Sequence, residues 1–426
     1  MKQLLLCLFR QGAGLLLLPA VAACTAQQPL SWEQVKARFE ANNPQLKADA
    51  LGVDEMRANE LTAYLRPNPQ FTVATDGTQI APHKGVWQPL VGTDFVPTLS
   101  YLHERDHKRE LRRDSAREGT QIAAAGHEDV QRSLEFTLRT AFVNTLQAKA
   151  VLDVAKSDLE YYDKIIEISR ERLKAGDLAE IDFERMELLR AQYEVEIETA
   201  KVNLRTAKIQ LEQLMNDRTP VEQFDVEGAF EFADVLKPLD EIRQTALDAR
   251  PDLRAALESV QQAETNHKLA EANGATDPTF SGWYTYNSSN NNANGIQTLG
   301  ASVSIPLRIF DRNQGEKQRT LIDIHRNQKA SEAVRAQVLG DVDSAYAQVA
   351  SSVALLRPYR DKYKDEATRV RDTVTYSYQH GGSSLMDFLN AQSDYRTVQL
   401  AYLQLIGSYM TAAAQLNLAV GREVLP

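Results

Sequence analysis

Gly176-Asp177-Leu178-Ala179-Glu180-Ile181-Asp182-Phe183 and Gly381-Gly382-Ser383-Ser384-Leu385-Met386-Asp387-Phe388 are the same statement made twice, 205 residues apart. In both, Gly opens the stretch and Asp-Phe closes it at the same spacing, and the match runs on without a gap. After the first copy comes an apolar stripe: Leu189, Tyr193, Ile197, Ala200, Leu204, Ala207, Leu211 and Leu214. The equivalent positions after the second are Asp394, Val398, Tyr402, Leu405, Tyr409, Ala412, Leu416 and Ala419, and seven of those eight are again apolar. Steps of three and four are the signature of a helix packed along one face. Two helices entered through the same Gly-to-Asp-Phe turn mean one architecture built by duplication.

The repeat extends upstream. Pro44-Gln45-Leu46 matches Pro251-Asp252-Leu253, and Pro69-Gln70-Phe71 matches Pro278-Thr279-Phe280. Repeat 1 is placed at about 30–217 and repeat 2 at about 239–422, with an irregular, Pro-bounded linker at 218–238. The chain of 426 residues carries a formal charge of −10, which argues against a nucleic-acid binder, since phosphate demands basic faces.

Residues 1–23 read as a secretion signal: Lys2, a short apolar core around Gly14 to Leu18, then small residues. Val21-Ala22-Ala23-Cys24 resembles a bacterial lipobox, which makes Cys24 a lipidation candidate; ordinary cleavage after an Ala is the alternative. The remaining cysteine, Cys7, lies in the signal, so the mature chain has no internal disulfide. With no run of about 20 apolar residues after the signal, a membrane location would require a closed β-barrel.

Within each repeat the period changes in a fixed order. Residues 32–41 and 45–64 read as helices, followed by alternating segments at about 70–76 and 93–101. A helix then runs from about 105 to 174, on the order of 100 Å, and turns back at Gly176 into a helix ending near 215, which makes a helical hairpin over 105–215. In the second repeat the helix is 251–273, and the strands are about 279–288 and 297–305 around an Asn-rich turn. The second helical hairpin is 311–420, with a kink expected near Arg357 because Pro358 lies inside the first arm. Strands of this length, aromatic on one face and Ser, Thr or Gly on the other, suit a membrane barrel. Four strands cannot close one alone, so several copies are expected to contribute.

One pattern points elsewhere. His103-Glu104-Arg105-Asp106-His107 matches H-E-x-x-H, which on a helix would aim two imidazoles at one zinc ion with Glu104 as base. The flanking Lys108-Arg109-Glu110 is highly charged, where a metalloprotease helix is normally apolar, and only Glu128 is loosely available as a third ligand. The reading is therefore no enzyme, no resident metal and no cofactor.

The order of helix, strand pair and long helical hairpin, repeated behind a signal, resembles the TolC-like outer-membrane efflux factors. The junction Ile305-Pro306-Leu307-Arg308-Ile309-Phe310-Asp311-Arg312-Asn313-Gln314-Gly315 and the two Gly-to-Asp-Phe tips carry the resemblance, and Phe310 to Gly315 looks most like members serving metal-cation pumps. The resemblance implies a mainly α fold with a small membrane β-barrel: a homotrimer with a twelve-stranded barrel in outer-membrane lipid and an α-helical tunnel in the periplasm. It implies a passive exit duct for an inner-membrane, proton-driven pump, joined through a periplasmic adaptor. Type I secretion and a non-channel coiled coil bridging the envelope are the alternatives. The adaptor would grip the tips at Gly176, Asp177, Leu178, Gly381, Gly382 and Ser383. The family's acidic gate falls on Asp387 and on Asn390, where an acid is absent, with Asp182 as the first-repeat counterpart. The family's Arg two residues after the tip Gly is Ser383 here. Asp182 and Asp387 have a second reading, as caps of the returning helices.

Overall fold

The computed structural model describes residues 28–287 and 297–425. The leader, Cys24 and the 288–296 stretch of the Asn-rich turn lie outside the described residues. The chain runs α1 (Trp32–Asn42), α2 (Pro44–Tyr64), β1 (Gln70–Asp76), β2 (Asp94–Leu102), α3 (Lys108–Ala175) and α4 (Glu180–Met215). The second half repeats the order as α5 (Leu239–Ala249), α6 (Pro251–Ala272), β3 (Thr279–Asn287), β4 (Gln297–Ser304), α7 (Gln314–Pro358), α8 (Lys364–Gln379) and α9 (Leu385–Val420). A π-helical turn, Tyr359–Tyr363, joins α7 to α8. No described helix is long and apolar enough to cross a membrane.

The start signals are local. Ser31 and Gln34 form a capping box on α1, and the Asn43 side chain accepts from Leu46 N at 2.9 Å to start α2 at Pro44. The long helix α3 begins three residues later than the sequence suggests. Asp106 and His107 both sit at positive φ (54° and 55°), so 103–107 is a turn rather than helix. Asn313 (φ 62°) does the same ahead of α7. The expected kink at Pro358 takes another form. Pro358 ends α7 and the widened π turn absorbs its missing donor.

The four strands form one antiparallel sheet, β1-β2-β3-β4, in which β2 and β3 join the repeats through pairs such as Tyr101↔Phe280 and Leu99↔Gly282. The register places Phe71, Leu99, Phe95, Phe280, Tyr284 and Val303 on one face. Thr72, Thr98, Ser100, Ser281, Thr285 and Ser302 lie on the other. The apolar face has nothing over it: Phe71 is 70% and Leu299 85% exposed. Gly300 is obligatory, because a Cβ there would lie 2.3 Å from the Trp283 ring.

Two cores sit along the helices. The larger joins α1, α3, α4, α7 and α9 through side chains such as Phe39, Phe142, Met215, Val342, Leu356 and Leu416. The 218–238 stretch is irregular yet belongs to this core: Phe224 and Val226 are fully buried, Val226 bridges Leu30, and Asp225 is clamped by Lys149 (2.7 Å) and Lys208 (3.2 Å). The smaller core, at the far end of the hairpins, is built from Tyr162, Ile165, Ile166, Phe183, Met186, Tyr193, Tyr378 and Phe388.

Candidate functional site

Both hairpins turn through the same device. Gly176 (φ 84°) donates to Leu173 O at 3.0 Å and Asp177 N to Arg172 O at 2.9 Å; Gly381 (φ 76°) donates to Tyr378 O at 3.2 Å and Gly382 N to Ser377 O at 2.8 Å. Each pair is a Schellman ending, which needs a left-handed residue and so selects Gly. Gly381→Val is expected to cost about 1–2 kcal/mol of local order at the tip. Faster limited proteolysis between α8 and α9 than in the parent chain is the readout.

Beyond the turns the copies diverge. Ser384 and Asp387 form a capping box on α9: Asp387 N donates to Ser384 Oγ at 3.1 Å, and Asp387 Oδ2 accepts from Ser384 N at 3.2 Å and Ser384 Oγ at 2.7 Å. The Ser384 hydroxyl, with its backbone N–H, holds the Asp387 carboxyl below the usual carboxylate range. In α4 the cap position is Ala179, which has no side-chain acceptor, and Asp182 makes only a 3.8 Å pair with Arg185. Capping therefore belongs to Asp387 and not to Asp182. Asp387 and Asn390 both lie exposed on α9, Leu178 is half-buried against the tip core, and Ser383 Oγ bonds Ser377 Oγ at 2.6 Å. Among the described residues no hydrogen bond or ion pair joins Asp182 to Asp387.

Residues that the motif reading passed over hold the hairpins together. Tyr378 stacks on Phe388 (5.0 Å between centroids), Tyr162 OH donates to Met186 O at 3.1 Å, and Tyr378 OH reaches Met186 Sδ at 3.6 Å. Arg172 Nη1 donates to Tyr378 O at 3.0 Å with its guanidinium 5.2 Å from that ring. This contact fixes the two tips at one level.

Farther from the tips is a polar node. Arg396 of α9 pairs with Glu196 of α4 at 2.6 Å, and Arg371 lies over the rings of Tyr395 (3.9 Å) and Tyr161 (4.6 Å). Asp158 of α3 is turned into this node. Burial pushes its carboxyl up to about 6, and Arg396 and Arg371 offset only part of that. A folded-state pKa above the ordinary 3.8 means that the contribution of this group is complete below about pH 4 and is lost as pH rises through about 6. Asp158→Asn is expected to flatten the fall in melting temperature between pH 5 and pH 8 and to raise it at pH 8. An unchanged slope would show that Asp158 does not report on this node.

The zinc pattern comes apart in three dimensions. His103 follows β2, His107 is left-handed, and Glu104 is held by Arg112 through two bonds of 2.5 and 2.8 Å. The helix that would align the two imidazoles is missing, so the H-E-x-x-H spacing has no ligand meaning. Nearby, Lys108 is 3% exposed and pairs with Asp277 at 2.7 Å, which closes the joint between sheet and helices. No group of three or more His, Cys, Asp or Glu is gathered for a metal among the described residues.

Comparison with known proteins gives a consistent picture. The family model for outer membrane efflux proteins matches residues 242–422. The cobalt-zinc-cadmium resistance protein CzcC of Cupriavidus metallidurans is 23% identical over 407 residues, covering 93% of this chain and 91% of its own. The outer membrane efflux protein BepC of Brucella suis is 22% identical over 298 residues, covering 66% of this chain and 62% of its own. Among solved structures, CusC superposes with a TM-score of 0.77 at 19% identity, covering 92% of both chains. The Campylobacter jejuni CmeC outer membrane channel gives 0.73 at 16%, covering 92% of this chain and 87% of its own. The structural likenesses carry the fold; residues 242–422 match the outer membrane efflux protein family, and over nearly its whole length the chain is similar to CzcC in sequence and to CusC in fold.

Proposed function

We propose that the protein is the outer-membrane exit duct of a tripartite efflux system, working as a homotrimer whose three sheets close into one twelve-stranded barrel. The observation that carries the reading is a four-stranded sheet with one uncovered apolar face, set at the far end of hairpins on the order of 100 Å from their paired tips. Within the chain β1 and β4 are both free edges, a hazard that closure with other copies removes. A periplasmic adaptor grips the tips at Gly176, Asp177, Leu178, Gly381, Gly382 and Ser383, and an inner-membrane, proton-driven pump supplies the cargo. The kinship to a cobalt-zinc-cadmium resistance protein favours divalent metal cations as that cargo. Cys24 is the lipid anchor in this reading.

The gate is the ring of Asp387 carboxylates from three copies, with Asn390 beside it and Asp182 on the flanking helix. Three carboxylates near one axis attract cations and raise one another's pKa. Their caps pull the other way, so two variants separate the roles. Ser384→Ala removes the cap, at about 1 kcal/mol, and keeps the charge. Asp387→Asn removes the charge. In planar bilayers the purified trimer is expected to pass small cation-preferring currents that divalent ions reduce. Asp387→Asn should relieve that block and Ser384→Ala should not. Equal block in all three would remove Asp387 from the gate, and a monomer without currents would overturn the duct.

A further inference from the structure

Between the two repeats, a crevice of about 410 Å³ opens near mid-height of the long helices. Its walls come from α1 (Trp32 and Lys36), from α3 between Glu128 and Arg139, from the end of α9 and from the α5–α6 joint (Ala249 and Pro251). That volume lies in the range of small-molecule sites. From Arg139 to Gly176 is about 55 Å of helix, and α2 puts about 30 Å of helix between the α1 joint and the sheet. The crevice is therefore distant from both the paired tips and the apolar sheet.

Arg139 is the odd member of this lining. Its guanidinium lies 4.5 Å from the centre of the Trp32 ring and 5.9 Å from that of Phe142. Stacking covers a face of the guanidinium and leaves its N–H donors in the plane. Among the described residues none of those donors has an acceptor and Arg139 makes no ion pair. The other cations of the lining are engaged: Lys36 with Glu135 at 3.1 Å, Arg132 with Asp129 and the Leu418 carbonyl, and Arg422 with Thr245 at 3.3 Å. Burial pushes the Arg139 guanidinium below its usual range, and Glu423 and Glu33, both exposed, offset only part of that. Its donors have to be met from outside the chain, by water or by a ligand.

The repeat shows that the fold does not require this residue. The offset that matches Pro44 to Pro251 also matches Trp32 to Leu239 and Arg139 to Tyr346. Tyr346 is satisfied within the chain, its hydroxyl donating to Lys237 O at 3.2 Å. The first repeat has in that place a cation held against an aromatic ring and lining a crevice. The charges of the lining narrow the choice of ligand. Lys36, Arg132, Arg139 and Arg422 stand against Glu128, Glu135 and Glu423, which leaves one positive charge in excess. A monoanion balances that excess, whereas a phosphate dianion would meet three carboxylates with its second charge unpaired. Trp32, Phe136, Pro251 and Leu418 supply apolar wall, which suits a ligand with an apolar body.

We propose that this crevice is a binding site for a small organic monocarboxylate with an apolar body, such as an acylated amino acid, whose carboxylate accepts a forked pair of N–H bonds from Arg139. Trp32 fixes the plane of the guanidinium and so the direction of the fork. Glu423, exposed at the rim and without a hydrogen bond or ion pair among the described residues, opposes the ligand's charge and limits its affinity. Helices α1 and α3 belong to the first repeat, and α9 and the α5–α6 joint to the second, so an occupant bridges the repeats and stabilises the folded chain. The site is complete within one copy, and the inference stands apart from the duct reading.

The test uses the full chain purified in detergent and titrated in a calorimeter with three probes: N-acetyl-leucine, its uncharged match N-acetyl-leucinamide, and inorganic phosphate. The expected result is saturable binding of the acid, with the amide and phosphate weaker by roughly tenfold or more, and a melting temperature that rises with the acid alone. Arg139→Gln should weaken the acid by a similar factor, and Arg139→Lys, which keeps the charge without the fork, should fall between. Glu423→Gln is an exposed change and should tighten the acid about threefold, which keeps the proposal testable even if Arg139→Gln fails to fold. Acid and amide binding equally, acid binding that Arg139→Gln does not move, or no saturable binding of the acid overturns the site. Phosphate binding more tightly than the acid overturns the monocarboxylate assignment.

Discussion

Replacing Arg250 with Met is expected to cost about 3–5 kcal/mol of folding free energy, the range seen when one partner of a buried ion pair is removed. Arg250 stands between α5 and α6 with its side chain 5% exposed. Its guanidinium donates to both Asp252 oxygens (2.9 and 2.6 Å), to Asp341 of α7 (2.9 Å) and to the Ala419 carbonyl of α9 (3.1 Å). One side chain thus ties the joint of the second repeat to both arms of its helical hairpin. Burial works against the charge on Arg250, but its carboxylate partners more than offset that, and the net effect raises its pKa. Burial likewise pushes Asp252 up, and Arg250 reverses the shift to leave it below 3.8. Met keeps most of the volume and none of the donors, so two carboxylates and a carbonyl lose their partner. Denaturant titration in detergent at pH 7 should show the midpoint falling. Adding Asp252→Asn and Asp341→Asn should recover part of the loss, because the orphaned charges, more than the missing bonds, make the single variant costly. A loss below about 1 kcal/mol would mean that water already reaches the site. Because the folded pKa of Asp252 is depressed, the pair's contribution is complete above about pH 4 and disappears as pH falls through the folded value.

The repeat made the large features of this fold legible. Steps of three and four sustained over 26 residues leave a helix few alternatives, and the Gly-to-Asp-Phe turns mark where both long helices reverse. The alternation through β1 to β4 likewise separates an aromatic face from a Ser/Thr face. What escaped the sequence is local or long-range. H-E-x-x-H reads as a ligand pair only on a helix, and the left-handed backbone at His107 was not signalled by any Gly. Pro358 announced an interruption, but its form as a wide turn depends on what packs on either side. The stretch 218–238 looks like a spacer because Phe224 and Val226 are isolated apolar residues in it; their burial is decided by α1 and α3. Capping was open for both Asp182 and Asp387, and the residue three places upstream separates them. Ser384 stands three residues before Asp387, a capping-box spacing, whereas Ala179 in the matching place before Asp182 cannot cap.

Phe388→Ala is expected to open the tip without unfolding the molecule. Phe388 is fully buried, lies parallel to Tyr378 at 5.0 Å and sits 6.4 Å from Tyr162, so it is the point where α9, α8 and α3 meet. Truncating a buried Phe costs about 3–5 kcal/mol, through lost contacts and the cavity left behind. The tip core shares no residue with the larger one, and its eight buried members are backed among the described residues mainly by partly buried side chains such as Leu159, Leu173 and Leu389. A loss of that size exceeds what so small a unit can absorb, while the larger core keeps its own contacts, so the effect should be local opening. Leu416→Ala is the contrast, since Leu416 is fully buried in the larger core. It should lower the main melting transition and leave the tip intact. Phe388→Ala should barely move that transition, yet speed amide exchange in 375–390. Under the duct reading it should also raise the cation current of the closed trimer. If exchange quickens and the current does not change, the tip core orders the hairpins but something else closes the pore. The ring of Asp387 side chains, two or three ångströms of flexible reach beyond the helix, would then be the barrier in its own right.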